Sequence, residues 1–291
     1  MVTLTMPINT CTRNDYMRKN KFRISMVVVN PFAKFDPKAD KDTLYKNLRA
    51  FKSIGLNGIE LTVGNPDRMD VEELKKILDE TSMPVSAIGT GKAYSEDGLS
   101  FISKNIHIRK KAIKRVKSHI KLSEQIGKPT VIIGLIRGKL VDGIDKNNAN
   151  GLLIEALENC AEFALSRDIT ISLEPINRYE TNYINTIDDG LEFLNKLNFS
   201  NVGLLIDSFH MNIEEPSIEE SIKRAGKKII HFHIADSNRW APGYGHINFQ
   251  TIIESLRLIG YKGYLSAEIL YTHEIQVSAK QVYDYMTSIM K

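Results

Sequence analysis

The sequence predicts a single (β/α)8 TIM barrel. Eight short β-branched runs alternate with longer amphipathic stretches to the C-terminus, and no Pro/Ser/Gly linker or break in composition divides the 291 residues. In order, the runs are Arg23–Val29, Gly58–Leu61, Val85–Ile88, Thr130–Gly134, Thr170–Glu174, Gly203–Asp207, Ile229–Ile234 and Tyr264–Glu268. Each has strand-type composition and is followed by a segment of helical period, the last reaching about Met290. Strand–helix alternation demands parallel strands with right-handed crossovers, and eight strands at this length favour closure over an open sheet. Residues 1–20 read as a polar, irregular N-terminal extension, and residues 21–291 as the barrel domain.

The charge balance excludes less than it leaves open. Lys and Arg total 39 against 35 acidic residues, a formal net charge of +4, with both signs mixed along the chain. This small excess is weak evidence for a nucleic-acid partner and fits an anionic metabolite equally well. The densest basic stretch carries Lys110, Lys114, Lys117 and Lys121 opposite Ile113, Val116 and Ile120, as expected of an outer helix with a solvated face. The two cysteines, Cys11 and Cys160, form no metal-type cluster, and neither a signal peptide nor a membrane-length apolar run is present. These features lead us to expect a reduced, cytoplasmic protein without a membrane anchor. The Gly89-Thr90-Gly91-Lys92 segment lacks the spacing of a phosphate loop or dinucleotide fingerprint and reads as a loop on the catalytic face.

In a (β/α)8 barrel the C-terminal ends of the strands share one mouth, so polar residues ending apolar strands are the functional candidates. Here four consecutive strands end that way, at Glu174, Asp207, His233 and Glu268. Three carboxylates in one cavity repel and protonate unless a cation holds them. An oxygen-rich set with one imidazole suits one divalent ion, Mn²⁺ first and Co²⁺ or Mg²⁺ after it. His231 shares a strand face with His233 and is expected deeper, as a core or supporting histidine. Just past the strand ends, Glu180, His210 and Arg239 offer an acceptor, a donor-acceptor and a fixed cation for a polyhydroxylated substrate. Phe32, Tyr94 and Trp240 are candidate apolar walls.

At these residues the sequence resembles the ketose 3-epimerases, the tagatose and psicose 3-epimerase group within the xylose-isomerase-like barrels. The intervals of 33, 26 and 35 residues between the four strand-end candidates are similar to that family's metal quartet. Glu180, His210 and Arg239 fall where its substrate-binding glutamate, histidine and arginine fall. A closer likeness is to the 5-keto-L-gluconate epimerases, in Ala87-Ile88-Gly89-Thr90-Gly91, in Asn177-Arg178-Tyr179-Glu180-Thr181, in Phe209-His210-Met211-Asn212-Ile213-Glu214-Glu215, in the block from His231 to His246, and in Ile133-Gly134-Leu135-Ile136-Arg137-Gly138. The resemblance implies a homodimer or homotetramer acting on a small keto-sugar or keto-sugar acid, with Glu174 and Glu268 as both ligands and catalytic acid–base groups.

Arg137 is the position at which a carboxylate-bearing substrate could be recognised, because a guanidinium presents a planar pair of donors that matches a carboxylate. A structural ion pair is the alternative. Three rival functions also share this scaffold. An aldose–ketose isomerase differs only in which carbon receives the proton. An abasic-site DNA endonuclease needs histidines at early strand ends, where this chain has Glu60-Leu61-Thr62 and Ile88-Gly89-Thr90. A non-catalytic sugar-binding barrel would leave paired glutamates without a use.

Overall fold

The computed structural model describes residues 22–28, 41–141 and 143–291. The expected N-terminal extension, Phe32 and Cys11 lie outside the described residues. Eight parallel strands run β1 (Arg23–Val27), β2 (Gly58–Thr62), β3 (Val85–Gly89), β4 (Thr130–Ile133), β5 (Ile171–Leu173), β6 (Val202–Asp207), β7 (Ile229–Ile234) and β8 (Tyr264–Ala267). They pair in sequence order, and β1 closes the barrel by pairing with β8 in register Arg23↔Tyr264 through Met26↔Ala267. The predicted strands are all present.

The described residues form ten α-helices: α1 (Lys41–Ile54), α2 (Val71–Thr81), α3 (Gly91–Ser95), α4 (Ile106–Gln125), α5 (Lys146–Leu165), α6 (Ile187–Leu194), α7 (Ser208–Glu214), α8 (Ile218–Ala225), α9 (Phe249–Leu258) and α10 (Ile275–Ile289). Eight are the crossover helices; α3 and α7 are additional short turns directly after β3 and β6. Both begin where a strand delivers its last residue to the mouth, which places their first side chains around the site. On α4, Lys110, Lys114 and Lys121 are exposed while Val116 and Ile120 are buried, and the Lys117 ammonium lies 5.4 Å from the Phe163 ring. The basic face is therefore the solvated face of an outer helix. No helix among the described residues is long and apolar enough to cross a membrane.

Period-two alternation divides each strand between two environments. Outward residues such as Ile24, Met26, Ile59, Leu61, Leu204, Ile206, Phe232 and Leu265 join the main apolar core against the helices. Inside the barrel the apolar packing is small, a cluster of Ala87, Ile132 and Leu205. The remaining inward positions include Ser25, Glu60, Ser172, His231, His233 and Ser266, all buried. Burying polar groups costs least where they are paired, as Glu60 is with His231 and His233.

Candidate metal centre

Glu174 follows β5 directly and extends its pairing through a backbone hydrogen bond to Ile133 (3.1 Å). Asp207 ends β6, His233 is the penultimate residue of β7, and Glu268 follows β8. One donor atom from each of the four lies within 4.8 Å of the others. The His233 Nδ1 stands 3.4 Å from Glu268 Oε2, 3.7 Å from Asp207 Oδ2 and 3.8 Å from Glu174 Oε1. Asp207 also caps α7, with Oδ1 accepting from Phe209 N at 2.7 Å, so that the carboxylate is fixed while Oδ2 stays turned to the cluster.

The remaining site candidates surround this cluster. His210 on α7 places Nε2 3.8 Å from Glu174 and 3.9 Å from Asp207. Its Nδ1 accepts from the Asn177 amide at 2.8 Å, which leaves the Nε2 proton facing the cavity. The same Asn177 amide donates to Glu180 at 3.0 Å. Arg239 donates to Glu268 at 2.7 Å and to Glu180 at 3.4 Å, and its guanidinium rests 4.9 Å from the Phe209 ring. A cavity of about 420 Å³ opens over these groups, within the size range of small-molecule sites. Glu174, Glu180, His210, His233, Arg239 and Glu268 line it, together with the Gly89–Lys92 segment. That segment is thus a wall of the site, as expected of it.

Arg137 corrects the sequence reading. Its side chain is fully buried, and its fork does not face the cavity. Instead Nε and Nη2 donate to Tyr183 O (3.1 and 3.0 Å), Nη2 to Ile184 O (3.0 Å) and Nη1 to Gly134 O (2.9 Å). The three-residue turn Leu135–Arg137 follows β4, and the guanidinium is directed at the loop after β5. Tyr94 and Trp240 do not line the cavity either, and Trp240 is exposed.

Three residues in the site went unassigned by sequence reasoning. Glu60, in the middle of β2, points inward and meets both histidines of β7. Its signal was available: a charged residue flanked by outward apolar neighbours in a buried strand. Asn177 orients His210 and Glu180, and Lys92, almost fully buried, lies on the cavity with Nζ 3.6 Å from Glu96.

The electrostatics are those of a site built for a cation. Burial and then the charges of Glu268 and Asp207 push the Glu174 carboxyl up to about 8. Burial would raise Asp207 as well, but the charge of His210 and the nearby His233 and Arg239 hold it at about 2. Burial disfavours the charged form of His233, yet Glu60 and Glu268 outweigh it and keep the imidazole basic. Asp207 Oδ2 and His233 Nδ1 are buried with no hydrogen-bond partner. Two orphaned donor atoms beside two further carboxylates fit a divalent ion, which would satisfy all of them at once.

A family model described as the xylose isomerase-like TIM barrel matches residues 48–288. The chain belongs to that family. Within it, the chain is 32% identical over 218 residues to an L-ribulose 3-epimerase of Methylomonas sp. (strain DH-1), covering 74% of each chain. It is 26% identical over 235 residues to the 3-dehydro-D-guloside 4-epimerase of Escherichia coli (strain K12), covering 78% of this chain and 87% of that one. The crystal structure of a D-allulose 3-epimerase from Methylomonas sp. shares the fold, with a TM-score of 0.81 at 23% identity over 93% of this chain and 98% of that one. The family's relatives are thus carbohydrate epimerases, and the buried carboxylate–imidazole cluster of this member could hold a metal.

Proposed function

We propose that this protein is a metal-dependent epimerase that inverts the carbon next to the ketone of a ketohexose or ketohexuronate, such as 5-keto-L-gluconate or D-tagaturonate. The reading rests on one observation: two glutamates from different strands, Glu174 and Glu268, converge on a buried Asp207–His233 pair beneath a sugar-sized cavity. The relatives agree in chemistry, since both a ribulose 3-epimerase and a 3-dehydro-guloside 4-epimerase are named for inverting the neighbour of a keto carbon.

Glu174, Asp207, His233 and Glu268 would hold the cation, Mn²⁺ before Co²⁺ or Mg²⁺, and it would supply positive charge to the keto oxygen and the adjacent hydroxyl. One of the two glutamates takes the proton from one face of the carbon, and the other returns a proton to the opposite face through an enediolate. Two bases are needed because a single carboxylate on one face would return the proton where it came from. His210 Nε2–H and the Arg239 guanidinium place donors at the cavity wall, where negative charge develops on oxygen as the proton leaves. Glu180, held by Asn177 and Arg239, is an acceptor for a substrate hydroxyl. Arg239 also ties Glu268 in place, so that its loss disturbs proton transfer as well as binding.

The deciding experiment is a metal-reconstituted assay in deuterated water against matched ketohexoses and ketohexuronates, with products resolved by stereochemistry. The epimer should form with one deuterium at the inverted carbon, and chelation should abolish turnover. Turnover with no label in the product would remove two-base transfer, and an aldose as the main product would make the enzyme an isomerase.

A further inference from the structure

We infer that Glu60 is a positioning residue for the metal cluster: it accepts the Nε2–H of His233, turns that ring's Nδ1 toward Glu174, Asp207 and Glu268, and is itself held by His231. This rests on the proposed role of His233 as a ligand. Glu60 lies on β2 and the histidines on β7, two strands that are not neighbours in the barrel. The carboxylate therefore reaches across the interior beneath the site. The β2–β3 register shifts between Ile59 and Glu60, an irregularity of the kind that re-aims a side chain.

The contacts dictate the tautomer. An ionised carboxylate only accepts, so each ring nitrogen facing it must donate. His233 Nε2 lies 3.1 and 3.0 Å from the two Glu60 oxygens, and His231 Nε2 lies 2.9 Å from Oε2. A neutral His233 that donates from Nε2 has its lone pair on Nδ1, the atom left without a hydrogen-bond partner among the three other ligands. Without Glu60, the ring could carry its proton on Nδ1 and donate to Glu268, only 3.4 Å away, which would remove it from the ligand set. His231 completes the device. Its ring meets that of His233 edge-on, with centroids 5.4 Å apart, and its Nε2–H gives the buried Glu60 a second donor. Carboxylate support of this kind behind a ligating imidazole sets both its orientation and its basicity.

The test is Mn²⁺ affinity by titration calorimetry on metal-free Glu60→Ala and Glu60→Gln, with the visible ligand-field spectrum of the Co²⁺-loaded forms. Glu60→Ala should bind Mn²⁺ about tenfold to a hundredfold more weakly. Its Co²⁺ band should move in the same direction as in His233→Ala. Glu60→Gln, which keeps volume and one acceptor oxygen, should fold if Glu60→Ala does not and should lose less affinity. A purely structural Glu60 would lower the melting temperature without moving the Co²⁺ band. Folded Glu60 variants with wild-type Mn²⁺ affinity and an unmoved band would overturn the inference. His233→Ala and Asp207→Ala separate the two failures: if they lose Mn²⁺ while the Glu60 variants do not, only this inference falls. If none of the variants loses Mn²⁺, the quartet falls with it.

Discussion

Replacing Arg137 by Ala should destabilise the fold without changing which substrate is preferred. The guanidinium is wholly buried, and burial pushes it down to about 10, with Glu174 the main charge opposing that fall. It therefore remains a cation at neutral pH. Three of its nitrogens donate to the carbonyls of Gly134, Tyr183 and Ile184, four contacts of 2.9 to 3.1 Å that tie the loop after β4 to the loop after β5. Gly134 O keeps the Arg137 backbone N–H and Ile184 O keeps that of Ile176, so Tyr183 O is the carbonyl left without a donor, at about 1–3 kcal/mol. With the packing of the long buried side chain also lost, the net cost is about 3 kcal/mol. For a chain of this size that corresponds to roughly 10 °C in Tm. Thermal and urea unfolding followed by circular dichroism measure the stability, and kcat/KM on a ketohexose and the matched ketohexuronate measures the preference. Arg137→Ala should lower both activities by the same factor, because its effect passes through the loops that carry Glu174. Arg137→Lys should recover only part of the stability, since an ammonium cannot reach three carbonyls in fixed directions. Near-wild-type stability together with selective loss of the ketohexuronate would refute this account and return Arg137 to the substrate.

Other substitutions probe separate parts of the structure. A Cβ on Gly134 would lie 2.7 Å from Glu174 Oε2, so Gly134→Ala should displace a catalytic carboxylate. A misplacement of that order lowers kcat by about a hundredfold with little change in Tm, and a kcat close to wild type would show that Glu174 has room to move. Lys92 is a buried cation on the cavity wall, so Lys92→Met should reduce kcat/KM on a ketohexuronate about tenfold more than on the neutral ketose. Equal losses on the two would take Lys92 out of carboxylate recognition. Thr186 and Asp189 form a capping box on α6, with Asp189 accepting from the Thr186 and Asn185 backbone amides at 3.2 Å. Although burial opposes it, these hydrogen bonds lower Asp189 below its ordinary value of 3.8, so its stabilisation is present above that pH and lost as pH falls through the folded value. Asp189→Asn should therefore cost about 1 kcal/mol at neutral pH, with the difference from wild type closing below about pH 4 in urea titrations. A gap unchanged by acid would mean that the carboxylate charge is not what stabilises the cap.

What was legible in the sequence followed parity and position. The strands announce themselves by β-branched runs, and a polar residue at the end of an apolar strand can face only the mouth. For that reason Glu174, Asp207, His233 and Glu268 can be grouped from the sequence alone. The extra short helices α3 and α7 were not legible, because one or two turns carry too few residues to show a period. Arg137 failed for a different reason. It sits just past a strand end, where a cation facing the substrate is plausible, but its direction depends on a three-residue turn and on carbonyls of a loop more than forty residues away. Glu60 reverses that case. Its inward direction followed from parity, but its meaning depended on two histidines contributed by a strand on the far side of β1 and β8.

These two residues show how the barrel divides its buried charge. A buried charge persists only where every polar atom around it finds a partner. Arg137 meets that condition with backbone carbonyls alone and joins two loops away from the cavity. Glu60 meets it with two imidazole N–H groups, and one of those rings has its other nitrogen in the cluster. At Asp207 and His233 the condition is not met by protein atoms: Oδ2 and Nδ1 are sealed from solvent without a hydrogen-bond partner. The Ser25 and Ser266 hydroxyls in the interior also lack a partner, but Oδ2 and Nδ1 belong to a carboxylate and an imidazole that lie together at the mouth end, where Glu174 and Glu268 also arrive. A cation there would complete the pairing, and the two carboxylates sharing it would keep further oxygens for a proton. Among the described ionisable groups inside the barrel, the two left without a hydrogen-bond partner are therefore those where the chemistry is proposed to occur.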